Sequence, residues 1–194
     1  MDCLTFMMGE FEATFPVDRY YAKNHMWAEE TEQGYRFGFG AYAVRLLQDV
    51  YFLDWNFDAP ATVSFQQEIG SIESKKAESS LYAPLTGELI EFNPALMEDP
   101  SEINVDKYGK GWLFELIESS ENEEPLMTAE QYVEHLEDLV DHVATLTVLL
   151  GLNDVLLQAR FLRLATARHL EHRAENDLRV LDREQSGPVR RELG

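Results

Sequence analysis

A chain of 194 residues with 45% hydrophobic content holds enough apolar material for one large domain or two small ones, which excludes wholesale disorder. Its formal net charge of -20 repels phosphate backbones, and with no basic patch in view it speaks against nucleic-acid binding and leaves solubility as the ordinary use of the charge. The single cysteine, Cys3, excludes an internal disulfide framework and a cysteine-based zinc site.

In chain order, Met1 to Glu10 lack the positive region of a signal peptide, and their apolar run is short. No stretch of about 18 continuous apolar residues exists, so no membrane span is expected. These features predict a reducing, cytoplasmic setting. Residues 1–19 read as an N-terminal extension. From Tyr20 to Ile117, short apolar segments are broken by turn residues. Strands are expected at Tyr35–Phe39, Val50–Leu53, Ile69–Ile72 and Glu88–Phe92. Gly34, Gly70, Pro84, Gly87, Pro94, Pro100, Gly109 and Gly111 punctuate the region. Many short strands with such turns predict a barrel or sandwich. Ala41 to Gln48 is the one helix expected inside it.

Residues 118–127 form an acidic, proline-containing linker without periodicity. The period then becomes helical. Thr128 and Gln131 match a capping box, in which hydroxyl and side-chain amide satisfy the first free N–H groups of a helix. An apolar stripe follows at Tyr132, Val133, Leu136, Leu139, Val140, Val143, Leu146 and Leu150. Gly151 suits a C-cap, and Asn153 suits the N-cap of a second helix carrying Leu156, Leu157, Phe161, Leu164, Leu170, Leu178 and Leu181. Residues 128–194 are therefore expected to form an antiparallel helical hairpin. Two helices alone bury little, so the hairpin should pack on the β region or on a second copy, which leaves a homodimer through the C-terminal helices open. His169 and His172 share a helical face and His142 follows Asp138 by one turn, but no Glu-x-x-His pair repeats. No metal site is assigned.

The sharpest chemical signal lies in Gly70-Ser71-Ile72-Glu73-Ser74-Lys75-Lys76-Ala77, followed by Leu81-Tyr82-Ala83-Pro84-Leu85-Thr86-Gly87. Tyr21-Ala22-Lys23-Asn24-His25-Met26-Trp27 precedes it, with Gly38, Tyr42-Ala43 and Asp49-Val50 between. Asn93, Leu96 and then Asp99-Pro100-x-x-Ile103-Asn104-x-Asp106-x-Tyr108-Gly109-x-Gly111-Trp112 come after it. Six blocks in this order resemble the glycine cleavage system H-protein, a lipoyl carrier, over residues 20–117. The resemblance implies a mainly β fold, the flattened barrel-sandwich of lipoyl and biotinyl domains, with a short helix. It also implies a hairpin of Glu68–Ser74 and Glu78–Ala83 with the lysines near its tip, a turn that propensity alone does not predict because it lacks Gly or Asn at its centre.

The register of the attachment block places lipoate on Lys76 rather than Lys75. Glu73 would serve recognition by the lipoylating enzyme, and Gly70 and Gly87 would shape the hairpin strands. His25 and Trp27 read as packing or groove residues, with His25 able to line the site that buries a loaded arm. Biotin fits less well, since biotinyl hairpins typically carry Met-Lys-Met where this chain has Lys-Lys-Ala. The implied cycle is that of a carrier, not an enzyme. A lipoyl dithiolane accepts an aminomethyl group from glycine decarboxylase (P-protein), delivers it to an aminomethyltransferase (T-protein) and is reoxidised by dihydrolipoyl dehydrogenase, after a lipoate ligase or transferase has loaded it.

Several positions depart from the family pattern. Gly40-Ala41 replaces Thr-Asp, Gln66-Gln67 replaces Gly-Asp, Lys107 replaces Pro, and Lys75 sits where a small or β-branched residue is usual. The helical tail is expected to have no counterpart in the compact H-protein. An H-like carrier or relay for another lipoate-dependent pathway, or a non-lipoylated adaptor that dimerises through its tail, are the competing readings.

Overall fold

The computed structural model describes residues 2–150 apart from residues 77 and 121–124, with the helical backbone alone for residues 141–150. The chain opens with an antiparallel hairpin of β1 (Cys3–Met8) and β2 (Phe11–Pro16), turning at Gly9 with φ 67. This pair was expected only as an extension, yet its signal is local. Leu4, Phe6 and Met8 alternate with exposed Cys3, Thr5 and Met7, the period of a strand with one covered face.

There follow β3 (Tyr20–Tyr21), β4 (Met26–Glu30), β5 (Tyr35–Phe39), α1 (Ala41–Leu47), β6 (Val50–Trp55), β7 (Ala61–Val63), β8 (Glu68–Ser74), β9 (Glu78–Tyr82) and β10 (Gly87–Phe92). Then come α2 (Pro94–Glu98), α3 (Glu102–Val105), β11 (Trp112–Glu118) and α4 (Ala129–Leu150). The expectation of a single helix between Tyr20 and Ile117 is corrected by α2 and α3. Asn93 caps α2 by accepting a bond from the Ala95 N–H at 3.1 Å, and Pro94 occupies the first turn, where its missing donor is harmless. Such short helices carry too few residues for a period to be read.

Six strands pair in the order β3-β4-β5-β11-β10-β7, and three pair as β6-β8-β9. The sheets enclose one core in which Phe37, Ile69, Ile72, Leu89, Leu113 and Phe114 are fully buried, giving the barrel-sandwich that was expected. A second core joins β1 and β2 to the barrel and to α4 through Phe6, Phe15, Tyr21, Trp27, Tyr42, Tyr132 and Leu136. The capping box of α4 is present in both directions. The Thr128 N–H donates to Gln131 Oε1 at 2.9 Å, and the Gln131 N–H donates to Thr128 Oγ1 at 3.4 Å. The expected second helix, its Gly151 and Asn153 caps, and His142, His169 and His172 lie outside the residues whose side chains are described. Among the described residues no helix is long and apolar enough to cross a membrane.

Candidate attachment hairpin

Strands β8 and β9 pair with Ile72 opposite Ser79 and Glu73 opposite Glu78, so the chain reverses between Ser74 and Glu78. Lys75 and Lys76 are both exposed there, and neither takes the left-handed conformation usual in tight turns. The turn is held from outside instead. Lys75 donates its backbone N–H to the Asp49 carbonyl at 3.1 Å, and Lys76 donates its own to Ser74 Oγ at 3.4 Å. The Lys75 ammonium also bonds Asp49 Oδ2 at 2.6 Å. Among the described residues no ion pair holds the Lys76 ammonium.

Asp49 is itself fixed. It sits at the corner between α1 and β6, where Gln48 closes the helix with φ 63. Asn104, from α3, brackets that corner by accepting the Val50 N–H at 2.9 Å and donating to the Gln48 carbonyl. The loop after α3 is tied in turn. Asp106 accepts at its carbonyl from the N–H groups of Gly109 (3.1 Å) and Gly111 (2.9 Å). Buried Asn93 donates to the carbonyls of Lys110 (2.8 Å) and Trp112 (2.7 Å). The closing block singled out in the sequence therefore serves as scaffold for the hairpin, a link carried through Asn104 to Asp49 to Lys75.

The remaining candidate residues fall in different places. Glu73 lies one residue before the turn side of β8, half-buried, and after burial its charge is a cause of the raised pKa of the Tyr51 hydroxyl. Gly70 and Gly87 are sites of close backbone approach. A Cβ on Gly70 would meet the Asp54 carbonyl oxygen of β6, and one on Gly87 the Ile117 carbonyl oxygen of β11. His25 is buried in the second core with φ 66. Its Nδ1 bonds the Tyr132 hydroxyl at 2.9 Å and its ring tilts against Tyr42 at 4.7 Å. Burial, and secondarily the charge of His135, lowers its pKa to about 3, so the ring is neutral near pH 7. The described contacts of His25 are those of a joint between α4 and the barrel. Neighbouring Asn24 donates from Nδ2 to the Tyr82 carbonyl at 3.0 Å, tying the β3–β4 turn to the foot of β9.

A family model described as Glycine cleavage H-protein matches residues 19–139. This chain belongs to the glycine cleavage H-protein family. It is similar to the glycine cleavage system H protein of Escherichia coli O7:K1, 38% identical over 125 residues that make up 63% of this chain and 96% of that one. It is also similar to the H protein of Thermobifida fusca, 36% identical over 122 residues, 63% of this chain and 95% of that one. Among solved structures, a glycine cleavage system H protein from Mycobacterium marinum matches with a TM-score of 0.56 and 33% identity, covering 63% of this chain and 99% of that chain. The family match runs past the acidic linker to Leu139, so the first turns of α4 do have an H-protein counterpart. The expectation that the tail lacks a counterpart is thereby narrowed to the residues after 139, and within the matched part Tyr132 and Leu136 pack into the barrel's second core. The β1–β2 hairpin precedes the matched residues.

Two departures from the family pattern now have a structural meaning. Gln66, standing for the usual Gly, adopts φ 61, a conformation that favours glycine. Lys75, standing for a small or β-branched residue, is the partner of Asp49.

Proposed function

We propose that this chain is the lipoyl carrier of a glycine cleavage system, with lipoate amide-linked to Lys76. The observation that carries the reading is the hairpin tip. Lys76 is exposed, with its ammonium in no ion pair among the described residues, between two strands whose ends are hydrogen-bonded into the barrel. An attachment lysine has to reach into a ligase while its backbone stays in place, and a tight turn between two strands meets that need better than a floppy loop. When bound, lipoate supplies a ring disulfide that accepts an aminomethyl group and a dithiol that is reoxidised afterwards.

The chain's own residues position and present. Lys76 provides the amine, and the Asn104–Asp49–Lys75 relay fixes the turn that carries it. Glu73 offers an acidic contact to the lipoylating enzyme. Gly70 and Gly87 let their strands approach β6 and β11, and His25 acts through packing. The chain catalyses nothing in this reading. Its partners are glycine decarboxylase, an aminomethyltransferase, dihydrolipoyl dehydrogenase and a lipoate ligase or transferase, met in a reducing cytoplasm. The division into residues 1–19, 20–117, 118–127 and 128–194 stands as the proposed organisation, with the first and last segments sharing the second core.

The test is reconstitution with glycine decarboxylase, scored by exchange of bicarbonate into glycine. The lipoylated chain supports exchange and Lys76→Ala does not. A lipoylated chain that supports none would overturn the glycine cleavage assignment, and Lys76→Ala with full exchange would overturn the attachment site.

A further inference from the structure

Two lysines stand side by side at the hairpin tip, and a carrier with one arm needs a reason for the second to stay unmodified. The structure offers one at the α1–β6 corner. Asp49 takes Lys75 by two groups, its carbonyl accepting the backbone N–H at 3.1 Å and its carboxylate accepting from the ammonium at 2.6 Å. Because Gln48 and Val50 on either side are both bonded to Asn104, Asp49 is placed by the barrel rather than by the hairpin.

We propose that Asp49 is a specificity-determining residue for acylation: it withholds the Lys75 amine and leaves Lys76 as the amine open to an activated acyl donor. The proposal rests on the reading of Lys76 as the attachment lysine. Acylation needs the neutral amine. Its nitrogen lone pair attacks the acyl carbon, a C–N bond forms as the bond to the leaving group breaks, and the amine proton passes to solvent. The hydrogen bond to Asp49, with the carboxylate's charge behind it, holds Lys75 in the protonated form and raises its pKa from the ordinary value. It also directs the side chain toward β6. No such partner stands beside the Lys76 ammonium among the described residues. The Lys75 and Asp49 side chains are 70% and 67% exposed, so water screens the pair and the expected discrimination is modest, about two- to fivefold in rate. A ligase reading the hairpin register would multiply that bias.

The test uses the full chain without lipoate. Limited acetylation with acetic anhydride at neutral pH is followed by cleavage at glutamates and tandem mass spectrometry of the Ser74–Glu78 peptide, which reads both amines in one fragment. Lys76 should label about two- to fivefold faster than Lys75 in the wild type, with the ratio falling toward one in Asp49→Asn. The unaltered chain at about 1 M salt, where the Debye length is ~3 Å, gives the same reading without any risk to folding. A wild-type ratio near one overturns the proposal, as does a ratio that neither Asp49→Asn nor salt changes. Because chemical labelling needs neither ligase nor lipoate, its failure is separate from a failure of Lys76 to accept lipoate, which an intact-mass measurement with ligase reads.

Discussion

Tyr132 is where α4 meets the barrel, and removing its hydroxyl alone is a clean perturbation. The ring is fully buried, stacked on Tyr21 at a centroid distance of 4.7 Å and edge-on to Phe15 at 5.1 Å. Its hydroxyl bonds His25 Nδ1 at 2.9 Å, and burial pushes the hydroxyl's pKa well above the ordinary tyrosine value, so it is neutral at working pH. Tyr132→Phe keeps the volume and both ring contacts but leaves the imidazole nitrogen without its partner in a site water does not reach. That should cost about 1–3 kcal/mol. Tyr132→Ala adds the loss of the ring and should cost about 3–5 kcal/mol, a large share of a domain's typical 5–15 kcal/mol. Urea unfolding at neutral pH, followed by tryptophan fluorescence, measures both. With a slope of about 1–3 kcal/mol/M, Tyr132→Phe should lower the midpoint by about 1 M at unchanged slope. A Tyr132→Phe midpoint within about 0.2 M of wild type would refute the claim that this bond bears on stability.

Three other outcomes follow from neighbouring features. His25 has a folded pKa of about 3 against an ordinary 6.5, so the unfolded chain takes up its proton first as pH falls. Its contribution is complete above pH 6.5 and is lost as pH drops toward 3, so the stability gap between wild type and His25→Asn should narrow across that window. An unchanged gap would contradict a buried neutral imidazole; Asn is chosen because it tolerates the φ of 66. Gln66→Gly should stabilise by about 0.5–1 kcal/mol, since relief of left-handed strain exceeds the added chain entropy, and a lowered melting temperature would contradict this. Thr128→Ala should cost about 0.5–2 kcal/mol by opening the capping box, read as a lower urea midpoint.

Much of the scaffold was legible because its signals are local. Strand β5 coincides with the expected Tyr35–Phe39, α1 ends one residue before Gln48, and the Thr128–Gln131 box is bonded as its spacing implies. Strand β8 was foreshadowed by the apolar pattern at Ile69–Ile72, whereas its pairing with β9 and the turn between them came from the resemblance alone. That turn carries no local signal, because the bonds that hold Lys75 come from Asp49, far along the chain and on another strand's edge. His25 was readable as a packing residue but not as the partner of Tyr132, which lies 107 positions away. The β1–β2 hairpin was legible in its alternation and in Gly9, yet too short and too near the terminus to stand out. The short helices α2 and α3 answer to Asn93 and to the tertiary bonds of the closing block rather than to any period.

The central claim is that Lys76 is the single attachment lysine. Intact-mass spectrometry of the chain expressed with a lipoate ligase and lipoate tests it most directly, in wild type, Lys75→Ala and Lys76→Ala. The account predicts one lipoyl mass on the wild type and on Lys75→Ala, and none on Lys76→Ala. An unmodified wild type, or a lipoyl mass that survives Lys76→Ala, would contradict it.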